Sequence, residues 1–187
     1  MKNKKIANLL ALAALCGVLT SCGSSPGGGG KTPEETETKL GPWKTVSKVT
    51  NKVTGKREVM KTTVNGREIV AVLRWRDYSA KLDAGVGKWY GDMASPPPKY
   101  VVESLMVSMD GRGMLIPKSK VRYLASQWMN ESSSLGLNQR GNQLRLLVDV
   151  GDGAEGWTAT YVIAPSTLTL VSHAVEDGPT VHNAIQE

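Results

Sequence analysis

Residues 57–76 read REVMKTTVNGREIVAVLRWR, and this stretch decides the fold. At its centre Asn65-Gly66 separates two runs rich in β-branched and apolar residues. Both turn residues tolerate the positive φ angles of a type I′ turn, so the pair predicts a β-hairpin between Arg57–Val64 and Arg67–Arg76. The second run is apolar on both of its alternating faces, which is typical of a strand in the centre of a sheet.

Further strands are expected on both sides of this hairpin. Upstream, an extended backbone would place Lys44, Lys48, Lys52 and Lys56 on one face. The polar segment Ser132–Gln143 is expected to be a loop. Downstream strands are predicted at Tyr100–Met109, at Met114–Ile116 after a turn at Asp110-Gly111, and in a meander of Leu144–Val150, Trp157–Ile163 and Thr167–Ala174.

One segment has helical periodicity. Pro117 is favoured in a first helical turn, and the apolar spacing after it predicts an amphipathic helix to about Asn130. Lys118, Lys120 and Arg122 crowd the end where the helix dipole disfavours cations. The apolar stripe comprises Val121, Leu124, Ala125, Trp128 and Met129. The predicted fold class is therefore α+β, with an antiparallel β-sheet of about six to eight strands and one amphipathic helix packed on it.

The N-terminus has a separate character. Lys2, Lys4 and Lys5 precede the apolar run Ile6–Leu19, which is about 14 residues long and too short to span a bilayer core of ~30 Å. This is the anatomy of an export signal. The run ends in Leu19-Thr20-Ser21-Cys22, which resembles the lipobox of bacterial lipoproteins because a small residue directly precedes the cysteine.

The resemblance to bacterial lipoproteins covers residues 1–22 and implies a cellular location and a lipid anchor. Residues 1–21 would be a signal peptide removed on export, and Cys22 would carry a diacylglycerol and an acyl chain such as palmitate. Two chains already anchor a protein stably. Residues 22–42 would then be the lipidated cysteine and a flexible Gly/Pro/Thr/Glu tether, followed by a single domain at 43–187. The implied location is the cell envelope, facing the periplasm. No Asp follows Cys22, which favours the outer membrane over the inner membrane.

Composition limits the mature chain further. Removing residues 1–21 leaves 166 of 187 residues, enough for one domain, with Cys22 as the only cysteine. No disulfide can then form within the mature chain. The net charge of +6 falls to about +3 once the three signal lysines are removed. The charge is uneven: residues 44–76 hold nine basic and two acidic residues, whereas residues 77–187 hold nine basic and twelve acidic residues.

The basic stretch is the candidate functional site. Clustered cations suit an anionic envelope partner, namely peptidoglycan, lipopolysaccharide, anionic lipid headgroups or an envelope protein. We do not expect nucleic acid, which an exported protein rarely meets. The ordinary alternative is a solvated or edge-strand face on which lysines block aggregation. The candidate binding residues are Lys44, Lys48, Lys52, Lys56, Arg57 and Lys61, with Arg67, Arg74 and Arg76 in the same stretch and Trp43 and Trp75 nearby.

A glycine-rich loop near the C-terminus matches the sequence pattern of a dinucleotide-binding motif. Residues 151–156 fit G-x-G-x-x-G, but the β-rich Trp157–Ile163 follows instead of the helix that a dinucleotide site needs. We therefore expect a hairpin loop. Asp149, Asp152 and Glu155 lie in or beside it, but their spacing does not match a calcium-binding loop.

The two histidines, His173 and His182, have no partners at metal-ligand spacing. We expect no metal and no cofactor. The leading interpretation is a non-enzymatic binding or structural module with a basic face. Two alternatives stay open: an envelope hydrolase that combines His173 with Asp149 or Asp152, and a small-ligand module with an apolar cavity beneath Trp128.

Overall fold

The computed structural model describes residues 40–90, 97–129, 134–151 and 156–177. Nearly all regular structure in these ranges is antiparallel β. The strands are β1 (Lys44–Thr45), β2 (Val49–Val53), β3 (Arg57–Val64), β4 (Arg67–Asp77), β5 (Tyr100–Met109), β6 (Arg112–Leu115), β7 (Ala125–Ser126), β8 (Leu135–Arg140), β9 (Gln143–Val150), β10 (Trp157–Ala164) and β11 (Thr169–Asp177). Sheet A has the order β1-β8-β9-β10-β11, and sheet B has the order β2-β3-β4-β5-β6, with β7 paired to the start of β5.

The hairpin predicted from Asn65-Gly66 is confirmed. Asn65 has φ 52° and Gly66 has φ 77°, the two positive angles that a type I′ turn requires. Beside the turn Val64 is paired with Arg67. β4 lies between β3 and β5, so the prediction that it is a central strand is also confirmed.

The two sheets share one hydrophobic core. Alternate residues of sheet B point inward, and Met60, Ile69 and Leu73 are completely buried there. Leu146 and Tyr161 of sheet A belong to the same cluster and are equally buried. The opposite, outer face of sheet B carries the exposed side chains of Lys61, Arg74 and Leu115.

Two polar side chains of sheet B hold the start of β8. The carboxyl group of Glu58 is 0% exposed and accepts hydrogen bonds from the backbone N–H groups of Ser134 (2.9 Å) and Leu135 (3.1 Å). The Nδ2 of Asn51 donates to the carbonyl oxygen of Leu135 at 2.8 Å. We call this arrangement the Glu58 clasp. It connects the two sheets through groups that would otherwise be buried without partners.

The amphipathic helix predicted from Pro117 to about Asn130 is wrong. Lys118–Lys120 forms one 3₁₀ turn, and Ala125–Ser126 forms β7. Four members of the apolar stripe are buried, but Trp128 is 48% exposed. The one α-helix in the described part of the chain is α1 (Ala80–Asp83). The fold is thus close to all-β, not α+β, and Asn130 itself lies outside the described residues.

Tertiary hydrogen bonds explain why this helix does not form. A helix would use the carbonyl groups of Lys120 and Leu124 for its own i to i+4 bonds. Here the carbonyl of Leu124 accepts from the backbone N–H of Val102 at 2.9 Å. The carbonyl of Lys120 accepts from the hydroxyl of Tyr161 at 3.0 Å. The segment therefore bonds to both sheets, and its apolar residues still reach the core.

Two further predictions are corrected. The polar segment Ser132–Gln143 contains β8, which pairs with both β1 and β9. Its polar composition does not indicate a loop, because the polar residue Asn138 is only 2% exposed and its side chain lies 2.7 Å from the guanidinium of Arg145. The strands also form two sheets instead of one. The chain changes sheets between Thr45 and Val49, so the run from Lys44 to Lys56 is not one strand.

Candidate functional site

Three of the six predicted binding residues share the outer face of sheet B. Lys52 in β2 is opposite Val59, and Arg57 and Lys61 are two residues either side of Val59 on β3. Because side chains alternate along a strand, Arg57, Val59 and Lys61 point the same way. All three cations are exposed. These three of the six candidate residues therefore lie together, and their role in binding stays a prediction.

The other three predicted residues lie elsewhere. Lys44 belongs to sheet A and is opposite Gln139. Lys48 precedes β2 and shares a shallow groove with Lys44. Lys56 forms an ion pair with Asp77, so its charge is already neutralised. The expectation that Lys44 to Lys56 form one row at every fourth residue is wrong, because the chain crosses between the sheets within that run.

Arg74 joins the shared face from β4. It is directly opposite Arg57 in the β3–β4 ladder, and both side chains are exposed. Within the described residues, Lys52, Arg57, Lys61 and Arg74 form no ion pair. We call these four residues the cationic patch. Like charges directly opposite each other destabilise a sheet, so the Arg57–Arg74 pair lowers the stability of the fold.

An apolar row lies beside the cationic patch. Val59 is opposite Val72, Val72 is opposite Met106, and Met106 is opposite Leu115, so the row crosses four strands. Val72 is buried among its neighbours, whereas Met106 is 38% and Leu115 is 64% exposed. The strand spacing makes the row about 15 Å wide. We call the cationic patch and the apolar row together the docking face.

The two tryptophans near the basic stretch do not belong to the docking face. Trp75 is 2% exposed in the core. Trp43 lies between two guanidinium groups, with the Cζ atoms of Arg140 and Arg145 at 4.3 Å and 4.7 Å from its ring. Burial and the charge of Arg140 lower the pKa of Arg145. These cation–π contacts fix the start of β1 against β8 and β9.

A charged cleft of about 390 Å³ opens where β4 ends, beside α1 and the 3₁₀ turn. Its inner part holds a bidentate ion pair, in which Nη1 and Nη2 of Arg76 donate to the carboxylate of Asp83 at 2.9 Å and 2.7 Å. The backbone N–H of Ser79 also donates to that carboxylate. These hydrogen bonds, that of Arg76 first, hold the pKa of Asp83 below its ordinary value, and the same pair raises the pKa of Arg76.

His173 and Asp149, two of the residues proposed for a hydrolase site, are not brought together. His173 is opposite Tyr161, and their ring centroids are 5.9 Å apart on the core-facing side of sheet A. Asp149 is opposite Thr158, whose hydroxyl donates to it at 2.8 Å. Residues 158 and 161 have opposite parity along β10, so His173 and Asp149 lie on opposite faces. Burial and the nearby Lys120 lower the pKa of His173.

Several sequence-level candidates lie outside the described residues, namely Cys22, Asp152, Glu155 and His182. The strands that flank the glycine-rich loop pair directly, with Val150 opposite Trp157, so the expected hairpin is confirmed at its base. Among the described residues, no group of three or more His, Cys, Asp or Glu side chains is placed to hold a metal ion. The same residues include no helix with the length and apolar character to cross a bilayer.

Comparison with protein families, with characterised proteins and with solved structures found no match.

Proposed function

We propose that this protein is a lipid-anchored, non-enzymatic binding module of the bacterial cell envelope that docks on a phosphate-bearing membrane surface. The observation that carries the proposal is the docking face. Four cations that form no ion pair with a described residue lie on one face beside an apolar row in which Met106 and Leu115 are exposed. The anchor would be lipid on Cys22, and the outer membrane is the favoured location.

The charge arrangement supports an anionic partner. Arg57 and Arg74 are directly opposite each other without a described carboxylate partner, and a phosphate group bound between them would relieve their repulsion. Arginine forms short, bidentate hydrogen bonds with phosphate oxygens. Near an anionic lipid surface, each basic residue contributes about 1 kcal/mol.

The apolar row favours an amphiphile over a purely polar polymer. Leu115 and Met106 are exposed on the same face as the cations, where they could contact acyl chains. Peptidoglycan offers carboxylates but no acyl chains. Lipopolysaccharide and anionic phospholipids offer both phosphate groups and acyl chains, so these two sources of the same chemistry are preferred.

Vesicle flotation tests this proposal. The chain from Gly23 to Glu187 retains every described residue and lacks the cysteine that would carry lipid. It is mixed with vesicles of phosphatidylcholine, with vesicles that also contain phosphatidylglycerol, and with vesicles that also contain lipopolysaccharide, over a salt series. Purified peptidoglycan is a separate arm. We expect binding to both anionic vesicle types that weakens with salt, because added ions screen the charges.

Two matched variants locate the binding surface. Reversing Lys52, Arg57 and Lys61 to Glu removes three contacts of about 1 kcal/mol each and should weaken binding by at least about 100-fold. Reversing Lys81, Lys88 and Lys99 changes the net charge equally outside the docking face and should weaken binding much less. Equal losses in both variants would show that net charge alone drives binding. Binding to peptidoglycan but to neither anionic vesicle would refute the membrane-surface proposal.

A further inference from the structure

The charged cleft is lined by side chains of both charge signs. Lys118 and Glu103 both line the cleft with the Arg76–Asp83 pair. The charge of Lys118 helps to lower the pKa of Asp83, and the charge of Glu103 helps to raise the pKa of Arg76. The central pair neutralises itself through two short hydrogen bonds. The cleft therefore offers both a cation and a carboxylate beside a neutralised pair.

A β-bulge places Glu103 in the cleft. Arg74 is opposite Ser104 and Trp75 is opposite Val102, so Glu103 is the extra residue of β5. Bulges change the direction of a side chain and are common beside functional sites. Glu103 is exposed and forms no ion pair with another described residue.

Two cations and an apolar side chain also line the cleft. Lys118 forms no ion pair with a described residue, and Arg122 makes only a long contact of 3.4 Å with the carbonyl oxygen of Gly85 while it stacks on Tyr123. Leu82 adds a side chain that is 70% exposed. The volume is at the lower end of the range that small-molecule sites occupy.

We propose that the charged cleft binds a small zwitterion, with its anionic group at Lys118 and Arg122 and its ammonium group at Glu103. The cleft borders the docking face, because Arg76 lies two residues after Arg74 on the same side of β4, but the three ligand-binding residues are not part of that face and the inference does not rest on the proposed function. The Arg76–Asp83 pair is already neutralised, so it leaves Glu103, Lys118 and Arg122 as the charged groups for a ligand. The ligand class is a short aliphatic chain that carries an ammonium group at one end and a carboxylate or phosphate at the other.

The test is a titration of the full-length protein, purified in a neutral detergent, followed by amide chemical shifts. The probes are glycine, 4-aminobutyrate, 6-aminohexanoate and phosphoethanolamine, which vary the separation of the charges and the type of anion. Butyrate and butylamine each lack one of the two charges. We expect at least one zwitterion to bind about tenfold more tightly than either single-charge analogue, because each charge-assisted hydrogen bond adds affinity.

Three variants assign the two ends of the ligand. Glu103→Gln should weaken zwitterion binding about tenfold and leave butyrate binding unchanged. Lys118→Met should weaken both zwitterion and butyrate binding. Glu68→Gln removes an exposed carboxylate of sheet B outside the cleft and should change nothing. Butyrate binding as tight as every zwitterion, an unaffected Glu103→Gln variant, or no saturable shift with any probe would overturn the proposal.

Discussion

Replacing Glu58 with Gln tests how the two sheets are held together. Both carboxyl oxygens of Glu58 accept backbone hydrogen bonds, one from Ser134 and one from Leu135, at a site with no solvent exposure. An amide of the same shape keeps one acceptor oxygen and replaces the other with an NH₂ group. One of the two backbone N–H groups would then face a donor instead of an acceptor.

The magnitude follows from the number of bonds lost. A buried N–H group without a partner costs about 1–3 kcal/mol, so Glu58→Gln should lower the free energy of unfolding by that amount. Glu58→Ala leaves both N–H groups unpartnered and should cost about 2–6 kcal/mol. Because small domains are stable by only about 5–15 kcal/mol, the Ala variant would be close to unfolding while the Gln variant stays measurable.

Equilibrium urea unfolding measures this effect. Trp75 and Trp157 are buried in the core, so their fluorescence reports the loss of tertiary structure. With an m-value of about 1–3 kcal/mol/M, Glu58→Gln should lower the midpoint by roughly 1 M. Glu68→Gln is the control because Glu68 is exposed, and it should shift the free energy by less than about 0.5 kcal/mol. A Glu58→Gln variant as stable as this control would refute the role given to the Glu58 clasp.

Three more predictions concern the cationic patch, the charged cleft and the central turn. Arg57→Gln should raise the free energy of unfolding by about 0.2–1 kcal/mol at low salt and weaken vesicle binding, because it removes one of two opposed cations; urea unfolding at low and high salt checks this, and a gain unchanged by salt contradicts it. Asp83→Asn should destabilise the protein most at neutral pH. Arg76 holds the pKa of Asp83 below its ordinary value, so the pair stabilises the fold fully at pH values above the unfolded pKa of about 3.9. That stabilisation is lost as the pH falls through the lower folded pKa. Urea unfolding over a pH series checks this, and a difference in unfolding free energy between the two proteins that is the same at every pH would contradict it. Gly66→Ala should cost about 1–2 kcal/mol because φ is 77° there, whereas Gly87→Ala, at a glycine with open space and no positive φ, should cost nothing in the same assay.

Local signals predicted the parts of the fold that local chemistry determines. Asn65-Gly66 requires only its own backbone angles, and the hairpin around it is as expected. The segment after Pro117 shows where such signals fail. Apolar residues at helical spacing also suit a run of turns that reaches the core. The decisive hydrogen bonds come from Val102 in β5 and from Tyr161 in β10, both of which lie far from this segment in sequence. No local pattern contains that information.

The site was predictable only in part for the same reason. Charge clustering identified Lys52, Arg57 and Lys61, because residues on a hairpin remain neighbours in the fold. Lys44 lies apart from these residues because β1 belongs to sheet A whereas β2 and β3 belong to sheet B. The apolar row depends on the register of β4, β5 and β6, and the charged cleft depends on a bulge in β5. Register and bulges follow from long-range packing, so neither feature has a signature in the local sequence.

The point where the proposed tether would meet the fold bears on how the docking face would be used. Leu40 lies beside Gly141 in the β8–β9 turn, and a small pocket brings Gly141 close to Asn65 at the same end of the two sheets. The charged cleft is at the other end of β4, about 30 Å away at the rise of an extended strand. A tether of about 20 residues has a reach of ~25 Å. Such a tether would leave the docking face free to lie along the membrane while the charged cleft stays far from the anchor.

The proposed anchor also sets how strong docking has to be. Four cations at about 1 kcal/mol each supply roughly 4 kcal/mol, which corresponds to a dissociation constant of about 1 mM. That affinity is too weak for stable docking at micromolar lipid concentration, so the flotation test of the chain without its anchor needs lipid at millimolar concentration. A short flexible tether raises the effective concentration to the order of 10 mM, at which about 90% of the molecules would be docked. The lipid on Cys22 and the docking face would therefore work as a pair: the anchor makes a weak surface sufficient, and the weak surface determines which side of the protein meets the membrane.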